Sequence, residues 1–230
     1  MGIKNVKIAD EMFVLYEKHF MELSNLIIER EYDFNIWAYA RIDTVKEKYL
    51  DTLKKAGVNW LALGIESGNT TVRKDVVKGK FTEFNITDLV RQVQDAGINV
   101  IGNYIFGLPE DNVETMQETL DLAKDLNCEF ANFYCTMAYP GSKLYLDAIA
   151  ENHTLPNTYS GWSQHSYDMI PLDTKHIGAS EIVRFRDNAF NDYHEDEKYL
   201  SMIEGKFGIE TRNKMVDMCE YKLKRKLLGD

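Results

Sequence analysis

The amino-acid sequence predicts an α/β protein, a partial (βα) barrel of parallel strands with a C-terminal helical extension. Three observations carry this. Five short apolar runs alternate with segments whose apolar residues recur at helical spacing, the order that builds a parallel sheet. Ala56-Gly57-Val58-Asn59 recurs as Ala96-Gly97-Ile98-Asn99, and each copy closes a helix and opens a strand. Near residue 150 the alternation stops. Residues 152–180 hold Pro156, Gly161, Pro171 and Gly178 among Ser, Thr and Asn and read as loop, after which helical spacing resumes. The expected division is residues 1–150 for the partial barrel and 151–230 for the loop and helical extension.

The elements follow in order. Val6 to Ala9 is a short strand with Asp10 and Glu11 at its end, and Tyr16, Phe20, Leu23 and Ile27 then recur at helical spacing. Ile36 to Ala40 is the second strand and ends at Arg41. Thr44 with Glu47 predicts a capping box for a helix whose apolar face is Val45, Tyr49, Leu53 and Ala56, with Gly57 closing it. Val58 to Ile65 is the third strand. Ile86, Leu89, Val90, Val93 and Ala96 line the next helix, and Ile98 to Phe106 is the fourth strand. Val113, Met116, Leu120 and Ala123 mark a further helix, Phe130 to Met137 a fifth strand, and Tyr139-Pro140-Gly141 a turn. In the tail, Ile182, Phe185, Ala189 and Tyr193 are spaced as a helix, and the last thirty residues read as helical.

Bulk properties exclude several classes. With 27 Lys plus Arg against 37 Asp plus Glu, the net charge is −10, so no broad basic field exists for nucleic acid. There is no run of 18 apolar residues, hence no expected membrane span. Met1-Gly2-Ile3-Lys4 opens no signal-peptide apolar region, and Cys128, Cys135 and Cys219 are few and irregularly spaced. A cytoplasmic setting and buried free thiols are the expectation.

Right-handed crossovers leave the carboxyl ends of all strands on one rim. Four of the five predicted strands end in chemically able residues there: Asp10-Glu11, Arg41, Glu66-Ser67-Gly68 and Gly107-Leu108-Pro109-Glu110. Any one could simply cap the following helix. Together, an arginine that takes a carboxylate in a fork, acids that take an ammonium or ribose hydroxyls, and glycines that let a flat ring meet backbone suit a zwitterionic ligand.

Ile8 to Phe13, Tyr39-Ala40-Arg41-Ile42-Asp43, Gly64-Ile65-Glu66-Ser67-Gly68, Ile105 to Glu110 and Tyr139-Pro140-Gly141-Ser142, in this order and spacing, resemble the radical SAM superfamily, most nearly its cobalamin-dependent branch. The resemblance covers about residues 3–146. Trp162 to Pro171 and Arg184-Phe185-Arg186-Asp187 also look like that branch's C-terminal extension. It implies a barrel that binds S-adenosylmethionine and, in an intact parent, a 4Fe–4S cluster that cleaves it to a 5′-deoxyadenosyl radical, with cobalamin as a further cofactor of the parent. On matching positions, Asp10 and Glu11 would meet the methionyl ammonium and Arg41 its carboxylate. Glu66, with the adjoining Ser67, would bind ribose or the methionyl end. Ile105 and Gly107 would lie along adenine, Glu110 would fix their loop, and Tyr139 would reach the adenine edge. Asn103 stands where the family has a glycine.

The departure is in the cysteines. The family's Cys-x-x-x-Cys-x-x-Cys loop, which supplies the cluster's thiolates, does not occur in the 230 residues. The chain therefore reads as a C-terminal part of a longer enzyme, lacking the first barrel strand and the cluster loop and inactive as it stands. The alternatives are a non-catalytic partial-barrel module or assembly partner, and a carboxylate site for a divalent cation at Asp10, Glu11 and Glu66. An incomplete barrel exposes sheet edge, so self-association is expected. The substrate is read only as a small molecule. None of His19, His153, His165, His176 and His194 pairs at metal-ligand spacing, and surface or capping roles are expected for them. Lys222, Lys224, Arg225 and Lys226 read as the solvated end of a helix.

Overall fold

Each predicted apolar run becomes a strand in the computed structural model, which describes residues 2–76 and 85–230. The order is β1 (Asn5–Lys7), α1 (Glu17–Glu29), β2 (Asn35–Arg41), α2 (Glu47–Lys55), β3 (Val58–Glu66), α3 (Thr70–Val76), α4 (Ile86–Asp95), β4 (Asn99–Phe106), α5 (Val113–Leu126) and β5 (Phe130–Cys135). Then come α6 (Lys143–Ala150), α7 (Ala179–His194), α8 (Glu197–Phe207) and α9 (Ile209–Glu220). The strands form one sheet in sequence order, β1-β2-β3-β4-β5, the arrangement of a partial (βα) barrel. Gly57 and Gly97 close α2 and α4 at positive φ, 88° and 75°, so the sequence repeat is a repeat of βα units.

The chain forms two compact units that do not follow chain order. The first comprises Met1–Glu66, Lys78–Asn103 and Asp125–Asn132; the second comprises Ser67–Val77, Tyr104–Lys124 and Phe133–Asp230.

In the first unit, β1 pairs with β2 and β2 with β3 in parallel. Alternation along β2 buries Ile36, Ala38 and Ala40 on one face, and β3 adds Leu61, Leu63 and Ile65. On the opposite, half-buried face, Lys7 Nζ sits 4.1 Å from the Trp37 ring centre and 5.3 Å from that of Tyr39, within cation–π range. Helix α2 buries Tyr49 and Leu53, and Phe20 of α1 meets Tyr49 edge-on with centroids 5.0 Å apart. Two local expectations fail. Thr44 caps nothing: its hydroxyl donates to the Arg41 carbonyl (2.7 Å) within a 3-10 turn, Ile42–Thr44, and α2 begins at Glu47 after Lys46. In α1, Tyr16 and Leu23 are exposed. The buried neighbour of Phe20 is Ser24, whose hydroxyl donates to the Phe20 carbonyl four residues back, so a small self-satisfied polar residue takes the packed position.

The second unit is built on aromatic rings. Phe106 and Phe133 stack at 5.4 Å, Phe185 of α7 meets Phe106 edge-on at 5.0 Å, and Tyr193 meets Phe133 at 5.9 Å. Helices α3 and α6 have no counterpart in the sequence reading. Asn69 caps α3 through Oδ1, accepting from Thr71 and Val72, and Ser142 caps α6, accepting from Tyr145. Both helices are short, and α6 leaves Leu146 and Ile149 exposed, so neither shows a clean apolar stripe. His194 is no surface residue: it is buried among Phe190, Tyr193 and Tyr199, its Nδ1 bonded to the Phe190 carbonyl at 2.8 Å. Nor is the basic run a solvated helix end. It follows the end of α9, and Arg225 is 1% exposed. No helix among the described residues is long and apolar enough to cross a membrane.

Candidate functional site

In the first unit the register of β2 on β3 pairs Arg41 with Gly64, so the end of β2 stands beside the last turn of β3 that leads to Glu66. Glu66 has φ 66°, a left-handed backbone that glutamate rarely takes and that tends to persist at functional positions. Its side chain folds back over the strand: a Cβ placed on Gly64 would lie 2.6 Å from Glu66 Oε1, so a side chain at 64 would push the carboxyl aside. The carboxyl has no hydrogen-bond or ion-pair partner among the described residues, and burial pushes its pKa up to about 7. A carboxyl held there takes up or releases a proton near neutrality and is available to an incoming donor.

Arg41 is engaged. Its Nε donates to Asp43 Oδ1 at 2.7 Å and Nη2 donates to Oδ2, a fork closed across the turn that follows β2; the Asp43 hydrogen bonds hold the guanidinium pKa above its ordinary value. Asp43 was legible only as the last letter of the Tyr39–Asp43 motif, and its role is set by that turn. Asp10 accepts from the Met12 N–H (2.9 Å), capping the loop after β1, and Glu11 is exposed beside it. Asn103 fills the glycine position with a working side chain: it donates to the Leu63 carbonyl (3.2 Å) and accepts from Asn132 (3.1 Å), tying β3, β4 and β5.

The remaining predicted residues belong to the second unit. Ser67 is fully buried, sharing a hydrogen bond with Thr119 (3.2 Å) and accepting from Asn69 N–H (3.2 Å). Gly68 sits against α5, donating to Thr119 Oγ1 at 2.9 Å, and a Cβ there would come within 2.6 Å of the Glu118 carbonyl. Ile105 is half-buried on β4. Gly107 takes φ 77°, with Ile182 of α7 packed where a side chain would stand. Glu110 pairs with Lys175, and the Lys175 hydrogen bond lowers its pKa. The turn it was expected to fix is held instead by Asp111. Buried, Asp111 accepts from Leu108 N–H (2.9 Å) and Thr115 Oγ1 (2.7 Å), and burial raises its pKa. Asp111 is the residue the sequence reading missed, and its signal was the Asp-x-x-x-Thr spacing into α5. Tyr139 is half exposed, its ring 6.2 Å from that of Trp162.

The half-buried Glu66 carboxyl, without a partner among the described residues, fits a ligand that brings an ammonium or hydroxyl donor. The cysteines do not fit an iron–sulfur cluster. All three are buried and free. Burial pushes the thiols of Cys135 and Cys219 up to about 12 and about 11, the reverse of what a thiolate ligand needs. Among the described residues no group of three His, Cys, Asp or Glu is placed to hold a metal, so Asp10, Glu11 and Glu66 do not form the cation site considered above.

Comparison with known proteins gives the family. The profile of the Radical SAM superfamily matches residues 2–123. An uncharacterised methyltransferase of Pyrococcus horikoshii is 27% identical over 199 residues, which are 86% of this chain and 42% of that protein. An anaerobic magnesium-protoporphyrin IX monomethyl ester cyclase of Rubrivivax gelatinosus is 28% identical over 140 residues, 60% of this chain and 25% of the relative. The chain thus spans less than half the length of these relatives. In fold it resembles the radical S-adenosylmethionine methyltransferase TsrM of Kitasatospora setae with cobalamin and a [4Fe-4S] cluster bound. The TM-score is 0.60 at 21% identity, covering 74% of this chain and 33% of TsrM. With more than half its residues matched by the family profile and a five-stranded (βα) sheet, the chain belongs to the radical SAM superfamily.

Proposed function

We propose that this chain is the S-adenosylmethionine-binding part of a radical SAM enzyme, with Glu66 as a principal contact. The observation that carries this is the Glu66 carboxyl: half-buried, with no hydrogen-bond or ion-pair partner among the described residues, and held in left-handed backbone at the end of β3. A carboxyl partly withdrawn from water gains stability when a ligand brings it a donor. Its ionised form would accept from the methionyl ammonium or the ribose hydroxyls. Arg41, already neutralised by Asp43, would offer its remaining N–H groups to the methionyl carboxylate, and Asp10 and Glu11 flank the same strand ends. When bound, S-adenosylmethionine supplies the family's radical or methyl chemistry. For the intact enzyme we infer methyl transfer or rearrangement on a small molecule with a 4Fe–4S cluster and cobalamin. The methyltransferase name of the Pyrococcus relative and the cobalamin and cluster of TsrM support that reading. The buried cysteines favour a second reading, a module that keeps the S-adenosylmethionine contact and carries no cluster of its own.

The test is calorimetric titration of the chain with S-adenosylmethionine above pH 7, where Glu66 is ionised, alongside anaerobic reconstitution with iron and sulfide. The expectation is saturable binding that Glu66→Ala weakens at least about tenfold, roughly 1.4 kcal/mol, and no stoichiometric cluster. Lack of binding, or equal affinity in Glu66→Ala, overturns the proposal. A stoichiometric cluster on this chain would show that its buried cysteines do serve as ligands.

A further inference from the structure

We propose that a cavity in the second unit, between α7 and residues 218–228, binds a small organic anion: an apolar or aromatic body bearing a carboxylate or phosphate. The cavity has a volume of about 370 Å³, the size of a metabolite site. It involves none of the residues assigned to S-adenosylmethionine and does not depend on that reading.

Its walls have two characters. Phe190, Met218, Leu223 and Leu228 give an apolar lining, and Arg184 and Lys222 stand exposed on its wall with no hydrogen-bond or ion-pair partner among the described residues. Deeper, Arg186 and Asp187 complete it. Arg186 is 5% exposed and Arg225, just behind, 1% exposed. The two buried guanidiniums share one carboxylate. Asp187 accepts from Arg225 Nε and Nη2, each at 2.9 Å, and from Arg186 Nη1 at 2.9 Å. The carbonyls of Phe133, Gln164 and Ser166 satisfy other N–H groups of this pair without cancelling charge. The Asp230 carboxylate reaches only the Arg225 backbone N–H (2.8 Å), so the two buried guanidinium side chains face the one carboxylate of Asp187, an arrangement that a further anion would stabilise.

Counting only lining residues, Arg184, Arg186 and Lys222 face the single carboxylate of Asp187, on a chain whose net charge is −10. A cationic, apolar-walled cavity in so acidic a protein is not an average of its surface. His165, also in the lining, reports the same field: burial, then Arg186 and Arg225, depress its pKa, so its ring stays neutral and can exchange a hydrogen bond with a headgroup. Guanidinium and ammonium groups select a carboxylate or phosphate, and the apolar wall selects a ligand larger than a bare ion.

The experiment is calorimetric titration of the whole chain with phenyl phosphate, benzoate, neutral benzyl alcohol and inorganic phosphate, repeated on the double variant Arg184→Gln/Lys222→Gln. Both side chains are exposed, and an unchanged melting temperature verifies the fold. At least one aromatic anion should bind about tenfold or more tightly than benzyl alcohol and inorganic phosphate, and the double variant should lose that margin. Phenyl phosphate against benzoate then decides the headgroup. Benzyl alcohol matching both anions, inorganic phosphate matching phenyl phosphate, no binding of any probe, or undiminished binding by the double variant would each overturn the proposal.

Discussion

Glu66 in the first unit and Asp187 in the second are both half-buried carboxyls, and their acidities move in opposite directions. Burial alone acts on Glu66 and pushes its pKa up to about 7. Burial pushes Asp187 upward as well, but the hydrogen bonds and charges of Arg225 and Arg186 outweigh it and hold the carboxyl below its ordinary value. Among the described residues, one unit thus holds a carboxyl that lacks a cation, and the other holds cations that outnumber their carboxyl. The first is the mark of a place that waits for a donor. The second ties three chain segments together and leaves positive charge to spare.

The sharpest way to break this contrast is to remove Arg225. Arg225→Leu leaves Asp187 and Arg186 half-paired and withdraws the bonds to Gln164 and Ser166. Unfolding in denaturant should show a loss of about 3–5 kcal/mol, far above any loss from the solvent-screened surface pair Lys4–Asp33. A loss below 1 kcal/mol would show that the tail is not held through this network.

Glu66→Gln sharpens the other side. Because the folded pKa of Glu66 lies above its unfolded value, folding binds a proton between the two. Its contribution is fully present below the unfolded pKa of about 4.3 and is lost as pH rises through about 7. Wild-type stability should therefore fall by up to roughly 3 kcal/mol between pH 4.5 and 8 on this account, and Glu66→Gln should flatten that slope. Parallel slopes for the two proteins would place the carboxyl in water.

The smallest effect is expected at Gly68, the joint where the two units meet in sequence. Gly68→Ala places a methyl against the backbone of Glu118 and Thr119, which cannot swing aside as a side-chain tip could. A loss of about 1–3 kcal/mol follows, measurable by denaturant unfolding with unchanged slope. An alanine tolerated without loss would show that α5 stands off from the turn.

Much of the first unit was legible from one dimension. Apolar alternation in Ile36–Ala40 and helical spacing in Tyr49, Leu53 and Ala56 name the buried face directly, because strand and helix periods are local. Helices α3 and α6 were not legible, since Asn69 and Ser142 caps start helices too short to show a period. Of the site, Glu66 stood out by its place at a strand end, whereas Asp111 and Asp43 did not, because a carboxyl's role depends on which N–H groups the turn brings to it.

By itself, the sequence determined the alternation of strands and helices, the glycine-closed repeat, the motifs that carry the family, and the absence of a three-cysteine loop within these residues. Each is a property of neighbours along the chain. Only the tertiary structure decided that Glu66 is half-buried and without a partner among the described residues, that Arg41 is matched to Asp43, and that Arg225 is a buried pillar rather than a surface cation. The physical reason is that charge, burial and partnership belong to three-dimensional surroundings. Lys222 and Arg225 sit three residues apart in one basic run, yet one is exposed and the other is enclosed by residues 38 to 61 positions away.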